Sequence, residues 1–215
     1  MTGTGTGTGT GTTVRTTAMP RRVFRLHLAT RGVPGAMLAI GVCAVALRVI
    51  LHWNPSGAGP GARIFPLLIG AGAASIVGIA TRSPFGEAER ATGHRLVALR
   101  LIAALVLTLV AIAALAAGSA GAHLQYGVLG LVRDVGGLIG VALIVAVVTG
   151  GTLSWLGPLS LWATSAYAIN ERWTTPLLWP DRPPHDGGAA LCATVVFVVG
   201  LALLTTRGAR DCVDD

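Results

Sequence analysis

Residues 135–170 read VGGLIGVALIVAVVTGGTLSWLGPLSLWATSAYAIN, 36 positions without a formal charge, bounded by Asp134 and Glu171. A single helix of that length would reach about 54 Å at 1.5 Å per residue, against a bilayer hydrocarbon core of about 30 Å. The stretch therefore folds back on itself. Thr149-Gly150-Gly151-Thr152 supplies the turn, with Pro158 shortly after it. Two spans follow from this reading, at 128–149 and 153–170.

The rest of the chain agrees. Of 215 residues, 53% are hydrophobic and 12% charged, where a soluble domain carries about 25% charge. Mean hydropathy is +0.70. An ordinary soluble enzyme and a disordered chain are both excluded. Further apolar runs predict spans at 33–52, 64–81, 97–120 and 187–206. The predicted fold is all-α: a polytopic bundle of about six transmembrane helices over residues 32–206, with no soluble domain. Before it, residues 1–18 are a Gly/Thr-rich tail without apolar side chains to offset ordering entropy, expected to be disordered. Residues 19–31, MPRRVFRLHLATR, alternate arginine with Val23, Phe24, Leu26 and Leu28. They predict a basic amphipathic helix on the membrane surface. Residues 207–215 form a polar tail.

Every basic residue is an arginine, and their distribution sets orientation. With six spans and the N-terminus inside, Arg15, Arg21, Arg22, Arg25, Arg31, Arg82, Arg90, Arg95, Arg100, Arg207 and Arg210 are cytoplasmic. Arg48, Arg63, Arg133, Arg172 and Arg182 are external. Eleven against five favours both termini in the cytoplasm and the plasma membrane as the location. Trp53, Trp173 and Trp179 then fall at the outer interface, which suits indole rings. Reporter fusions after Arg90, Pro180 and Arg210 should read inside, outside and inside; an outside signal at Arg210 would eliminate the six-span arrangement. The net charge of +7 belongs to these flanks. Nucleic acid is not an expected partner, since no polar domain carries a basic stripe.

No catalytic chemistry is legible. The chain has no GxxxxGK[ST], HExxH, GxSxG or CxxC motif, and its three cysteines form no disulfide framework or zinc spacing. No cofactor, metal site or catalytic residue is expected. Charges within spans are the usual functional pointer in a membrane. Arg133-Asp134, near the outer start of the fourth span, reads either as an interface anchor with Arg133 on lipid phosphate or as a substrate or gating pair. The fifth span is the most polar. Ser160, Thr164 and Tyr167 fall at i, i+4 and i+7 and so share a face. That face either lines a path for an amphipathic molecule or makes interhelical hydrogen bonds, and in both cases is expected to turn away from lipid. In the loop RSPFGEAERATGHR (82–95), Ser83 can cap a short helix with Pro84 at its first position. Glu87 and Glu89 sit near that helix's positive end, beside Arg90. Phe85 is an aromatic knob on a polar segment.

The surface segment at 19–31, the six spans, and the sequences SPFGEAER, LVRDVGGLIGVALI and LSWLGPLSLWATSAYA resemble the permease subunit of ABC-type exporters, of the actinobacterial kind. That resemblance covers most of residues 20–210. It implies a pair of permease subunits, as homodimer or heterodimer, on cytoplasmic ATPase subunits, with Ser83–Arg95 as the coupling helix and residues 173–186 as an outer re-entrant segment. The exported molecule would be small and amphipathic. Gly59-Pro60-Gly61 followed by Phe65-Pro66 is similar to the opening of the second span in the small membrane subunit of tripartite tricarboxylate transporters, a family usually of four spans. A non-transporting membrane scaffold is the third class.

Overall fold

The computed structural model of the chain describes residues 33–53, 61–81, 94–122, 124, 126–171 and 178–207. The expected tail at 1–18, the surface helix at 19–31 and the loop residues Ser83, Phe85, Glu87, Glu89 and Arg90 lie outside these, as does the C-terminal tail beyond Arg207.

The protein is an all-α polytopic membrane protein, with no strand among the described residues. Among the described residues six helices follow in order: α1 (Val33–Trp53), α2 (Gly61–Ala80), α3 (His94–Gly118), α4 (Gly127–Thr149), α5 (Leu156–Glu171) and α6 (Gly187–Arg207). Five of them, all but α5, are long and apolar enough to cross a membrane. With 16 residues, α5 reaches about 24 Å. It still carries the chain back along α4. The Arg133 guanidinium, in the second turn of α4, bonds the carbonyls of Arg182 and Pro183, so the segment after α5 lies level with the start of α4.

Between α4 and α5 the chain reverses at Gly150, whose φ of +94° is closed to most L side chains. A 3₁₀ turn, Gly151–Leu153, follows, held by the buried Ser154 hydroxyl, which donates to the Gly151 carbonyl at 2.8 Å. This turn moves the start of α5 from the expected 153 to Leu156.

α2 and α4 form the centre of the bundle. α2 packs against α1, α3, α4 and α5, and α4 against α2, α3, α5 and α6. Their shared core is built from small and branched residues, among them Ala73, Ala74, Val77, Leu138 and Leu143, all completely buried. The large apolar side chains face outward instead: Leu38, Val42, Val45, Leu109, Val195 and Val198 are exposed. In water this would be an inverted protein. In lipid, apolar side chains cost nothing outside, and small ones inside let helix backbones approach for dispersion contact. α4 approaches α6 closely. A Cβ placed on Gly140 would lie 2.6 Å from the Phe197 Cα, and one on Gly200 would lie 2.6 Å from the Gly140 carbonyl oxygen.

Candidate functional site

At the end of the bundle where α2 and α4 begin, the two helices diverge around a cavity of about 60 Å³. That is room for about four to six water-sized groups. Its walls are Arg63, Pro66, Leu67 and Gly70 from α2, and Leu131, Asp134, Val135 and Leu138 from α4; Tyr126 and Pro180 close over it. Gly70 lies nine residues into α2, about 14 Å from its start, and Leu138 eleven residues into α4, about 16 Å. The cavity thus runs along roughly the first 14–16 Å of the two helices. Below it, Ala74, Val77, Ala142 and Leu143 are fully buried and close the helices against each other.

The polar groups of the cavity come from both walls. Pro66 sits inside α2 and has no N–H, so the Ala62 carbonyl, its partner four residues back, loses its helical donor; Ala62 lines the same cavity. The Arg63 guanidinium lies over the Tyr126 ring, 5.2 Å from its centroid, a cation–π contact. Asp134 Oδ1 accepts from Arg133 Nε at 3.0 Å. The Arg133 side chain is 6% exposed and that of Asp134 16%.

Arg133 is turned inward. Besides Asp134 it donates from Nη1 to the Pro183 carbonyl at 2.8 Å and from Nη2 to the Arg182 carbonyl at 3.0 Å. The rigid guanidinium fork suits this three-way arrangement. Its expected place on lipid phosphate is corrected: its donors hold the segment 178–186 across the start of α4. Three further contacts seat that segment. Trp179, 3% exposed, lies on Gly137, where a Cβ would come within 2.8 Å of the indole. Asp186 caps α6 by accepting from the Gly188 and Ala189 N–H groups at 2.9 and 3.2 Å. Arg182 Nη1 stands 3.8 Å from the other Asp186 oxygen. Trp179 was expected at the membrane interface beside Trp53; Trp53 is 79% exposed, but Trp179 is a core residue.

The hydroxyl face of α5 is also corrected. Ser160 and Thr164 are exposed, and Tyr167 is 58% exposed. They do share a face, but it looks out of the bundle. Two of the hydroxyls satisfy themselves on their own helix: Ser160 donates to the Gly157 carbonyl at 2.9 Å and Thr164 to that of Ser160 at 2.7 Å. A Ser or Thr bonded this way presents little unpaired polarity to lipid. The inward polar residues of this region are Ser154, Ser165 and Trp162, whose indole N–H donates to the Ile64 carbonyl at 3.0 Å. The structure therefore brings Arg133 and Asp134 together at one site and leaves Ser160, Thr164 and Tyr167 off it. The cavity residues Arg63, Pro66 and Tyr126 were not expected as a set. The one available signal was the spacing of Arg63 from Pro66, which puts a cation beside a break in the helical ladder.

Among the described residues no group of three His, Cys, Asp or Glu side chains could hold a metal ion. Comparison with known protein families, with curated proteins and with solved structures finds no match to this chain.

Proposed function

We propose that the chain is the membrane-spanning subunit of an ABC-type transporter in the plasma membrane, exporting a small amphipathic molecule and powered by a separate cytoplasmic ATPase subunit. One observation carries the reading: a chamber with charged and apolar walls that descends about half-way through the bundle and ends blind on tightly packed Ala, Val and Leu. A scaffold gains nothing from such a chamber. A transporter needs one in each of its alternating states, and a partner that binds ATP shifts the population between them. In this orientation the chamber opens outward, and residues 178–186 are its outer cover.

The partner would engage Ser83–Arg95, the loop on the opposite side. If this loop docks in an ATPase groove, Phe85 is its best anchor. A buried aromatic knob commonly costs about 2 kcal/mol when cut to alanine, roughly thirtyfold in affinity. Phe85→Ala should weaken co-purification with the ATPase and ATP-driven efflux while leaving membrane insertion intact. Glu87→Ala and Glu89→Ala should do less if these carboxylates sit on a solvated rim of that interface. The decisive experiment is affinity isolation of the tagged chain from its native membrane in mild detergent. A stoichiometric ATPase, crosslinked by a cysteine at Phe85 in a background lacking Cys212, is the expected result. A chain that isolates without one, and effluxes normally as Phe85→Ala, defeats the proposal.

The tricarboxylate reading draws on Arg63 and Pro66, which face the chamber next to the Phe65-Pro66 pair. Citrate uptake that depends on Arg63, with no ATPase requirement, would favour it.

A further inference from the structure

Asp134 is the one carboxylate among the residues lining the chamber. Among the described residues Arg133 alone bonds it, through Oδ1 at 3.0 Å. Oδ2 takes no donor from any of them. The cations nearby are engaged. Arg133 donates to Asp134 and to the Pro183 and Arg182 carbonyls. Arg63 lies over the Tyr126 ring and takes part in a further interaction beyond it. What the chamber lacks is therefore a donor. A carboxylate oxygen with open lone pairs in a largely apolar site is costly, and a hydrogen bond to it is of the strong, charge-assisted kind.

Charge and shape restrict that donor. Arg133 already balances the charge of Asp134, so a ligand ammonium would lose its hydration and meet no unanswered anion. A ligand carboxylate has no proton to give. A neutral hydroxyl supplies the bond without a new charge. Deeper in, the walls are apolar. Leu138 follows Asp134 by four residues on the same face, about 6 Å further along α4, with Leu67, Gly70 and Val135 around it. A cavity of about 60 Å³ holds a hydroxyl and a hydrocarbon body of about three to five carbons.

We infer that the chamber binds a small neutral aliphatic alcohol, whose O–H donates to Asp134 Oδ2 and whose hydrocarbon end rests on Leu67, Val135 and Leu138. The inference rests on the transport reading in one respect, since it names the class of amphipathic molecule the transporter would carry; the binding itself needs no ATPase.

Calorimetric titration of the full chain in lipid nanodiscs tests it, with empty nanodiscs as the reference for partition into lipid. The probes are 3-methylbutan-1-ol; its isomer 1-methoxy-2-methylpropane, an ether without a donor; 3-methylbutan-1-amine, a cation at neutral pH; and 3-methylbutanoate. The alcohol should bind saturably and each of the others at least about tenfold more weakly, the value of one hydrogen bond to a charged group. Asp134→Asn, with Arg133 still on its oxygen, presents N–H groups in place of Oδ2 and should erase the preference for alcohol over ether. Because that variant also removes the counter-charge of Arg133, Gly70→Ala provides a second one. Its methyl would lie 3.4 Å from Val135 Cγ2 and 3.7 Å from Leu138 Cδ1, ordinary contact distances, so the helices keep their places while the floor of the chamber rises. It should weaken 3-methylbutan-1-ol about tenfold, as loss of room for one carbon does, and leave propan-1-ol unchanged. No saturable alcohol binding by the folded wild-type chain, ether bound as tightly as alcohol, or 3-methylbutan-1-ol bound unchanged by Gly70→Ala would overturn the site. ATP-driven efflux without alcohol binding would remove the site and keep the transport reading. Alcohol binding with these preferences by a chain that has no ATPase partner would keep the site and remove the transport reading.

Discussion

Arg133→Ala is expected to lower the stability of the bundle by roughly 3–5 kcal/mol, the usual consequence of removing one member of a buried ion pair. The side chain is 6% exposed, and its three nitrogens each donate, to Asp134, Arg182 and Pro183. Alanine leaves Asp134 uncompensated and two carbonyls without donors. Arg133→Lys keeps the charge but has no fork. It should still lose about 1.5–3 kcal/mol, the value of one hydrogen bond to a charged group. Reversible unfolding in bicelles, followed by tryptophan emission, measures both. Adding Asp134→Asn to Arg133→Ala should recover part of the loss, because the two side chains act as one unit. A loss below about 1 kcal/mol for Arg133→Ala would mean that other contacts seat the segment 178–186.

The second large effect lies where α4 crosses α6. Gly140→Ala puts a methyl within 2.6 Å of the Phe197 Cα and 2.7 Å of its nitrogen. These are backbone atoms, which cannot turn aside as a side chain can, so the helices must separate. About 1–3 kcal/mol is the expected cost of such overpacking, and Gly140→Leu should yield no folded protein. Gly200→Ala, aimed at the Gly140 carbonyl oxygen, should cost a similar amount. The double variant should cost less than the sum of the two, since a gap opened for the first methyl admits the second. Gly136→Ala is the control. Its Cβ meets nothing within 4 Å, and exchanging glycine for alanine in a helix is favourable by up to about 1 kcal/mol. Equal behaviour of Gly136→Ala and Gly140→Ala would show that the crossing is not close-packed in the membrane.

The helices were legible because the signal is large: each is an apolar run long enough to stand out against short polar connections. The reversal at Gly150 was legible too, because 36 uncharged residues cannot remain one helix in a bilayer. Side-chain direction was harder. The spacing of Ser160, Thr164 and Tyr167 establishes a common face, yet spacing carries no information about which neighbour that face meets. Polarity suggested the interior, but a hydroxyl bonded to its own helix, as Thr164 is to the Ser160 carbonyl, carries little penalty in lipid. Arg133 was visible as a charge and its proximity to Asp134 was trivial. Its other partners are main-chain carbonyls 49 and 50 residues away, and no side-chain pattern announces a carbonyl. The chamber is equally non-local: Arg63, Tyr126 and Asp134 converge only once α2 and α4 are packed. Ser83, Phe85, Glu87, Glu89 and Arg90, proposed as coupling residues, lie outside the described residues, so their assignment stands on the sequence and its resemblance.

The grip of Arg133 on the segment 178–186 is made to the peptide backbone at both of its contacts there. A lock that recognises main chain is indifferent to what the main chain carries. Side chains at Pro183, Pro184 and the exposed His185 can therefore drift under selection while the cover keeps its seat. Arg133 and Asp134 are fixed by their mutual charge, and Trp179 by its fit against Gly137. The rim of the chamber is in this sense a replaceable part on a constant mount. Changes at those few surface positions leave the mount, and with it the fold, intact.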